Sequence, residues 1–549
     1  MPVRVWLGRA TLVAALLLLN TALTFANLWP TPWIRPQAQV AIELAVAVLL
    51  AAIAARRFGP PSRRAVGLLS AAFVLLALTR YAEVMARELY GRPINLYYDL
   101  PHVPRVVAMF AEATPVWVLV VASAGVALGL IVLFAVVRWS WGRVAVALAA
   151  PRPRRALAAV ALAAIAAYPF APGWFTAPVT GSYARQAVLL AHVLGGGVAG
   201  LPESPPLASD LARLRGADVF VIFLESYGAA TYDRPEHLAR LAPARGALAA
   251  AAAATGRGVM SAFVESPTFG GASWLAHASL LSGVEVRDGD AYNMLMTERR
   301  RTLVRTFGER GYRTVALMPG LRQDWREGDA FYGFDEIYGA GRLDYRGPAF
   351  GWWRIPDQFA LARFDRLEVA PRPRLPLFVF FPTITSHAPF RPVPPYQPDW
   401  QRLLGPQPYA PEVERALEGY RAEWQNLDPA YADSVSYALQ WLGGYLRERR
   451  DADLVLVVLG DHQPPVGVGG ERPSWDVPVH VIAQPGPVLD ALVAEGFARG
   501  MAPQRPRIGG MDDLTRVLMR AFGSDLEPGV DIARARRQTL QHRPDRIGL

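Results

Sequence analysis

Cysteine is absent from this 549-residue chain. Its absence excludes a disulfide framework, a thiolate-ligated metal and a cysteine nucleophile, and leaves the compartment open. Lysine is absent too, so all 57 basic residues are arginine; against 47 acidic residues they give a net charge of +10. Such a balance suits contact with anionic lipid headgroups or with nucleic acid. No nucleic-acid motif is present, and much of the arginine in the first third lies in loops between apolar runs, so no nucleic-acid partner is expected. Charged residues make up 19% of the chain, too many for a protein immersed throughout in a membrane. The mean hydropathy of +0.17 is nevertheless high for a soluble one. Segregation of the apolar residues along the chain reconciles the two.

Five apolar runs precede residue 175, near Leu7–Trp29, Val40–Ala55, Ala65–Leu78 with an extension past Arg80, Val116–Val137, and Ala156–Phe170. A spanning helix needs about 20 apolar residues, so the second and fifth are short but admissible. The first, with Arg4 and Arg9 ahead of it and Thr24-Phe25-Ala26 behind, also has the form of a cleavable signal peptide. Arginine clusters alternate between loops: Arg4 and Arg9, then Arg56, Arg57, Arg63 and Arg64, then Arg138, Arg143, Arg152, Arg154 and Arg155. The first loop has only Arg35, and the third dilutes Arg80, Arg87, Arg92 and Arg105 with acids. This pattern predicts an N-terminus inside and everything after the fifth helix outside. Residues 176–216 read as a connection. In it Ala187–Leu194 is apolar enough to lie along a membrane surface, and Gly195-Gly196-Gly197 with Pro202, Pro205 and Pro206 forms a linker.

From about Asp218 the pattern changes to short β-branched and aromatic runs between helical stretches. Val219–Leu224, Thr314–Met318, Leu377–Phe381, Leu454–Leu459 and Val477–Ala483 are the predicted strands. Continuous apolar strands alternating with helices imply a mostly parallel sheet covered on both faces. Such sheets present their ligands at the carboxyl ends of the strands. Here one strand runs into Glu225-Ser226-Tyr227, another into Thr383-Ile384-Thr385-Ser386-His387, and a third into Gly460-Asp461-His462. Alone, each has an ordinary reading as a turn or cap. Together they deliver Glu225, Asp461 and His462 to one sheet edge, a donor set that suits Zn²⁺ or Mn²⁺, with Mg²⁺ or Ca²⁺ as alternatives.

A nucleophile is offered by Ser266–Gly283. Gly270-Gly271 allow a close backbone approach, and Ser273 then opens a helix running to about Leu281. A hydroxyl there lies in the positive field of the helix N-terminus, which favours an alkoxide and a phosphate beside it. The competing reading is a plain Ser N-cap.

These residues resemble the alkaline phosphatase/sulfatase superfamily, and within it the membrane-anchored lipoteichoic-acid synthases and the phosphoglycerol and phosphoethanolamine transferases. Leu224-Glu225-Ser226 is similar to that family's strand-end glutamate, and Gly460-Asp461-His462 to its ligand pair. Ser386-His387-Ala388-Pro389-Phe390, preceded by Thr383 and Thr385, is similar to its substrate-contact segment. Ser273 stands ten residues before Gly283 of Leu281-Ser282-Gly283, the spacing of a sulfatase nucleophile. Trp325–Gly339 and the segment Gly351-Trp352-Trp353-Arg354-Ile355-Pro356-Asp357 resemble the synthases' headgroup-binding region. Leu275 and His277 replace the Pro and Arg that formylglycine formation needs, which points to direct attack by an unmodified hydroxyl. The transferases generally use Thr, and Thr268 is a rival on the wrong side of the glycine pair.

The resemblance implies an α-helical membrane domain of about five transmembrane helices (1–175) and a juxtamembrane helix and linker (176–216). It further implies an α/β sulfatase-like domain with a mostly parallel central sheet (217–530), ahead of a basic tail (531–549). Glu225, Asp461 and His462 would hold a divalent metal with Ser273 as the remaining ligand. Ser273 is the expected nucleophile and His387 the expected phosphoryl-binding or proton-donating residue; His277 and Trp353 are candidates for substrate binding, and His480 is expected to be structural. The expected activity is transfer of a phospho-headgroup from a membrane phospholipid to a glycan or lipid acceptor, outside the bacterial inner membrane. A phosphatase or sulfatase on the same scaffold and a catalytically silent membrane sensor are the alternatives. Oligomeric state is not readable.

Overall fold

The computed structural model describes residues 2–524 apart from 29–30, 32, 91–93, 95–99, 101–102, 105–106, 109–110, 112–113, 172, 195–200, 324, 352–353, 419, 421–426 and 471–472. The expected basic tail and Trp353 therefore lie outside the described residues.

Before residue 175, helices α1 (Pro2–Thr21), α2 (Ile42–Phe58), α3 (Arg63–Tyr90), α4 (Val116–Ala149) and α5 (Pro151–Ala167) fall on the five apolar runs. Among the described residues two have both the length and the apolarity to cross a bilayer, Arg63–Ala86 within α3 and the whole of α4; Trp6–Thr21 is a shorter apolar helix. Five helices on these runs are thus seen among the described residues, two with spanning dimensions, and the expected five-span domain is not established. Only 6% of the most apolar window of α4 is buried. Val116, Trp117, Leu128 and Ile131 all stand in the open. An apolar face of this extent belongs against lipid or an apolar partner. The helices close on a common core that includes Leu19, Leu44, Val48, Phe73, Trp141 and Leu148. Where the surface helix was expected, α6 spans Thr180–Leu194. Its Arg185 pairs at 2.5 Å with Glu83, buried in α3.

The second half is built on one sheet. Its strands are β1 (Asp218–Leu224), β2 (Gly258–Glu265), β3 (Arg313–Met318), β4 (Glu336–Gly339), β5 (Leu377–Pro382), β6 (Leu454–Gly460), β7 (Asp476–Ala483) and β8 (Ala498–Arg499). They lie in the order β8-β2-β7-β6-β1-β5-β3-β4. The run β6-β1-β5-β3-β4 is parallel, and β7, β2 and β8 each pair antiparallel with the preceding strand in that order. All five predicted strands form; β2, β4 and β8 carried no continuous apolar run and were not anticipated.

Every residue of β1 and β6 is buried, which is why both read as unbroken apolar runs. The covering helices are α7 (Pro235–Ala254), α8 (Ser273–Ser282), α9 (Asp357–Phe364), α10 (Leu427–Glu448) and α11 (Met511–Phe522). Phe220, Ile222 and Leu224 of β1 face α7 and α10, while Val219, Val221 and Phe223 face α8 and α11. At the amino edge the first residue of β1, Asp218, is buried and fully answered. It accepts from Arg374 Nη1 at 2.7 Å, Arg449 Nη2 at 2.7 Å and the Leu377 amide at 3.0 Å. Removing one member of such a buried pair leaves the others uncompensated. Asp218→Ala is therefore expected to cost about 3–5 kcal/mol, read as a lowered denaturation midpoint of the detergent-solubilised protein.

Candidate active site

The parallel register sets Gly460 of β6 opposite Leu224 of β1, so the residues that follow, Asp461-His462 and Glu225, leave the sheet side by side. Gly460 permits this: a Cβ there would sit 1.9 Å from the Tyr227 carbonyl oxygen. Ser226, just after Glu225, takes a left-handed φ of 58°. Its amide donates to Asp461 Oδ1 at 2.8 Å, and the His462 amide donates to the same oxygen at 2.7 Å. Asp461 Oδ2 is left facing His462 Nε2 at 3.5 Å. The other ring nitrogen, Nδ1, meets the Gln463 carbonyl at 2.8 Å, which fixes the ring with Nε2 turned inward.

Ser273 enters from the opposite face as the first residue of α8, as the sequence predicted. Ala272 before it holds a left-handed φ of 59°, which costs about 1–2 kcal/mol in a residue with a Cβ. Ser273 Oγ donates to Glu225 Oε2 at 3.1 Å and lies 3.2 Å from His462 Nε2. Ligand atoms of Glu225, Asp461 and His462 all fall within 4.8 Å of one another, and the three residues are buried. Four side chains from three distant segments therefore converge on one point. The rival hydroxyl, Thr268 Oγ1, is engaged with the Gly271 carbonyl at 2.6 Å and shapes the turn.

Electrostatics mark the same point. Burial pushes the Glu225 carboxyl up, but the charge and hydrogen bond of His462 outweigh it and hold the group well below the usual carboxylate range. Burial and the adjacent Glu225 charge push Asp461 up to about 7. Burial opposes the charge on His462, yet Asp461 and Glu225 raise it to about 9. Buried acids balanced by a single imidazole, with a hydroxyl between them, form a donor set that fits a divalent cation.

The remaining site residues are placed around this centre. His387 is half-buried, its Nδ1 2.8 Å from the Ala388 carbonyl. Its loop is tied to the Glu225 loop on both sides: Thr383 Oγ1 accepts from the Glu225 amide at 3.1 Å, and Ser386 Oγ donates to the Glu225 carbonyl at 2.7 Å. Asp357, buried at the start of α9, accepts the amides of Ile384 and Thr385 at 2.9 and 3.0 Å. That link has no local signature, because an acid at a helix start reads as a helix-dipole residue. His277 does not join the four; its ring packs edge-on to Phe223 and Phe380, with centroids 4.6 and 5.4 Å away. Burial pushes it down to about 3, so it is neutral. His480 is structural, as expected, bonded to Ser261 Oγ at 2.7 Å and Tyr227 OH at 3.1 Å.

No family model matches the chain, and no curated protein does. Among solved structures it is similar to the lipoteichoic acid synthase LtaP from Listeria monocytogenes, at 15% identity over 60% of this chain and 77% of that one, with a TM-score of 0.37. It is similar to a protein in the alkaline phosphatase superfamily from Vibrio parahaemolyticus, at 15% identity over 60% and 73%, with a TM-score of 0.36. It is also similar to the phosphoglycerol transferase GacH from Streptococcus pyogenes, at 12% identity over 62% and 94%, again with a TM-score of 0.36. Likenesses of this size leave the chemistry to the residues themselves.

Two outcomes check the donor set. Glu225→Gln or Asp461→Asn should each weaken Mn²⁺ or Zn²⁺ binding by more than about 100-fold, beyond the 10–100-fold typical of losing a hydrogen-bond partner of a ligand. Because His462 carries a proton at pH 7 and must shed it to bind, metal binding should release protons, and apparent affinity should climb as pH rises toward 9. Calorimetry in buffers of different ionisation enthalpy reads both.

Proposed function

We propose that the protein is a membrane-anchored, metal-dependent phosphotransferase. In this reading it moves a phospho-headgroup from a membrane lipid to an acceptor outside the cytoplasm, by way of a phosphorylated Ser273. The observation that carries this is the Ser273 hydroxyl, at a helix N-terminus and within 3.2 Å of both Glu225 and His462.

Glu225, Asp461, His462 and Ser273 would hold a divalent cation, whose charge favours the serine alkoxide and offsets charge on phosphoryl oxygens. Ser273 Oγ releases its proton to water and attacks the phosphorus of the lipid phosphodiester. The Oγ–P bond forms, the bond from phosphorus to the lipid oxygen breaks, and the lipid alcohol departs. The N-terminus of α8 favours negative charge on the transferred group. His387, tied to the Glu225 loop through Thr383 and Ser386, donates a proton to the leaving oxygen or binds the phosphoryl group. An acceptor hydroxyl then attacks the phospho-Ser273 phosphorus and frees the serine; with water in that place the site is a hydrolase. The long exposed apolar face of α4 supports placement in a bilayer, and the alternation of arginine-rich loops supports an active site outside.

The test is incubation of wild type and Ser273→Ala with headgroup-labelled phosphatidylglycerol, phosphatidylethanolamine and phosphatidylcholine. Wild type should release headgroup from one lipid and hold label on Ser273. Ser273→Ala should fall by three orders of magnitude or more, as loss of a nucleophile does, and a chelator should stop both steps. Turnover undiminished in Ser273→Ala contradicts the proposal.

A further inference from the structure

Beside Ser273 the fold leaves a cavity of ≈ 160 Å³ that the chemistry above does not use. Its wall begins with Trp274, the residue after the nucleophile, and His277, one turn further along α8. Tyr292, Trp325 and Tyr332 supply most of the remainder, with Met318, Leu321 and Phe380 closing it. None of these described residues is charged, since burial keeps His277 neutral. Of the wall's polar atoms, Trp325 Nε1 already donates to Tyr292 OH at 3.3 Å, while His277 Nε2 is buried with no partner and is open to a ligand.

The Trp325 ring is set deliberately. It lies against Gly328, where a Cβ would come within 2.0 Å of the indole, so the helix start is stripped to let the ring pack there. The ring stands 5.5 Å from Tyr332, tilted at 45°. The cavity thus combines several aromatic rings with no charged side chain among the described residues that line it.

A primary ammonium would need three acceptors here and a polyol a partner for each hydroxyl, which would have to come from His277 Nε2 and the Tyr292 and Tyr332 hydroxyls alone. A quaternary ammonium has no hydrogen bond to lose and is attracted by the ring faces. We infer that this cavity is a headgroup subsite for a quaternary ammonium, making the preferred donor a phosphodiester of the choline class. The inference rests on the phosphotransferase reading for its consequence in turnover, and on the cavity alone for binding.

The experiment uses the full chain in detergent with Mn²⁺. Wild type should release headgroup from phosphatidylcholine with kcat/KM about tenfold or more above phosphatidylethanolamine and phosphatidylglycerol. Trp325→Leu should bring that ratio close to one, and Trp325→Phe, which keeps a π face, should retain most of it. A wild type that prefers either other lipid, or a ratio unmoved by Trp325→Leu, overturns the inference. If no lipid is turned over and Ser273 takes no label, the phosphotransferase reading fails, and saturation-transfer NMR with free choline and ethanolamine decides the subsite. Choline signal lost in Trp325→Leu but kept in Trp325→Phe upholds it. Absence of a choline signal in wild type overturns it.

Discussion

Two buried carboxylates held within 4.8 Å of each other and of one imidazole cannot all carry their charges without an answer. The parallel register of β1 and β6 forces this proximity, because Leu224 and Gly460 are partners and the next residue on each strand is an acid. The contrast with the amino edge is instructive. There Asp218 is equally buried, and Arg374 and Arg449 neutralise it. At the carboxyl edge His462 is the close cationic partner, and the strain appears as opposite shifts of Glu225 and Asp461. A divalent cation resolves that imbalance, and the hydroxyl of Ser273 is already aimed at the place it would take.

Rigidity of the surroundings makes the arrangement usable. The amides of Ser226 and His462 fix one oxygen of Asp461, and Gln463 fixes the ring of His462. Thr383, Ser386 and Asp357 bind the His387 loop to the Glu225 loop and to α9. The β1 end thus orients Asp461 through the Ser226 amide and holds the His387 loop through the Glu225 backbone, so much of the geometry is inherited from the sheet.

Much of this was legible in the chain itself. β1, β3, β5, β6 and β7 are continuous apolar runs because both faces are covered, and their ends name Glu225, Asp461 and His462 directly. Ser273 followed from the glycine pair and the helix it opens. β2 was hidden because Ser261 and Glu265 interrupt its apolar pattern, and β8 because two residues leave no period to detect. The aromatic cavity joins residues from α8, β3 and the segments around Tyr292 and Trp325, and Asp357 meets partners 27 and 28 residues away. Contacts of that kind depend on tertiary packing, which no local pattern carries. In the first half, hydropathy placed five helices, but apolar length alone gives spanning dimensions to only two among the described residues.

The most direct measurement is anomalous diffraction at the metal edge from crystals of the full-length protein grown with Mn²⁺. A single peak is predicted about 2–2.5 Å from a carboxylate oxygen of Glu225, one of Asp461, His462 Nε2 and Ser273 Oγ. A peak held by other residues, or these four side chains turned away from a common point with no metal among them, contradicts the account.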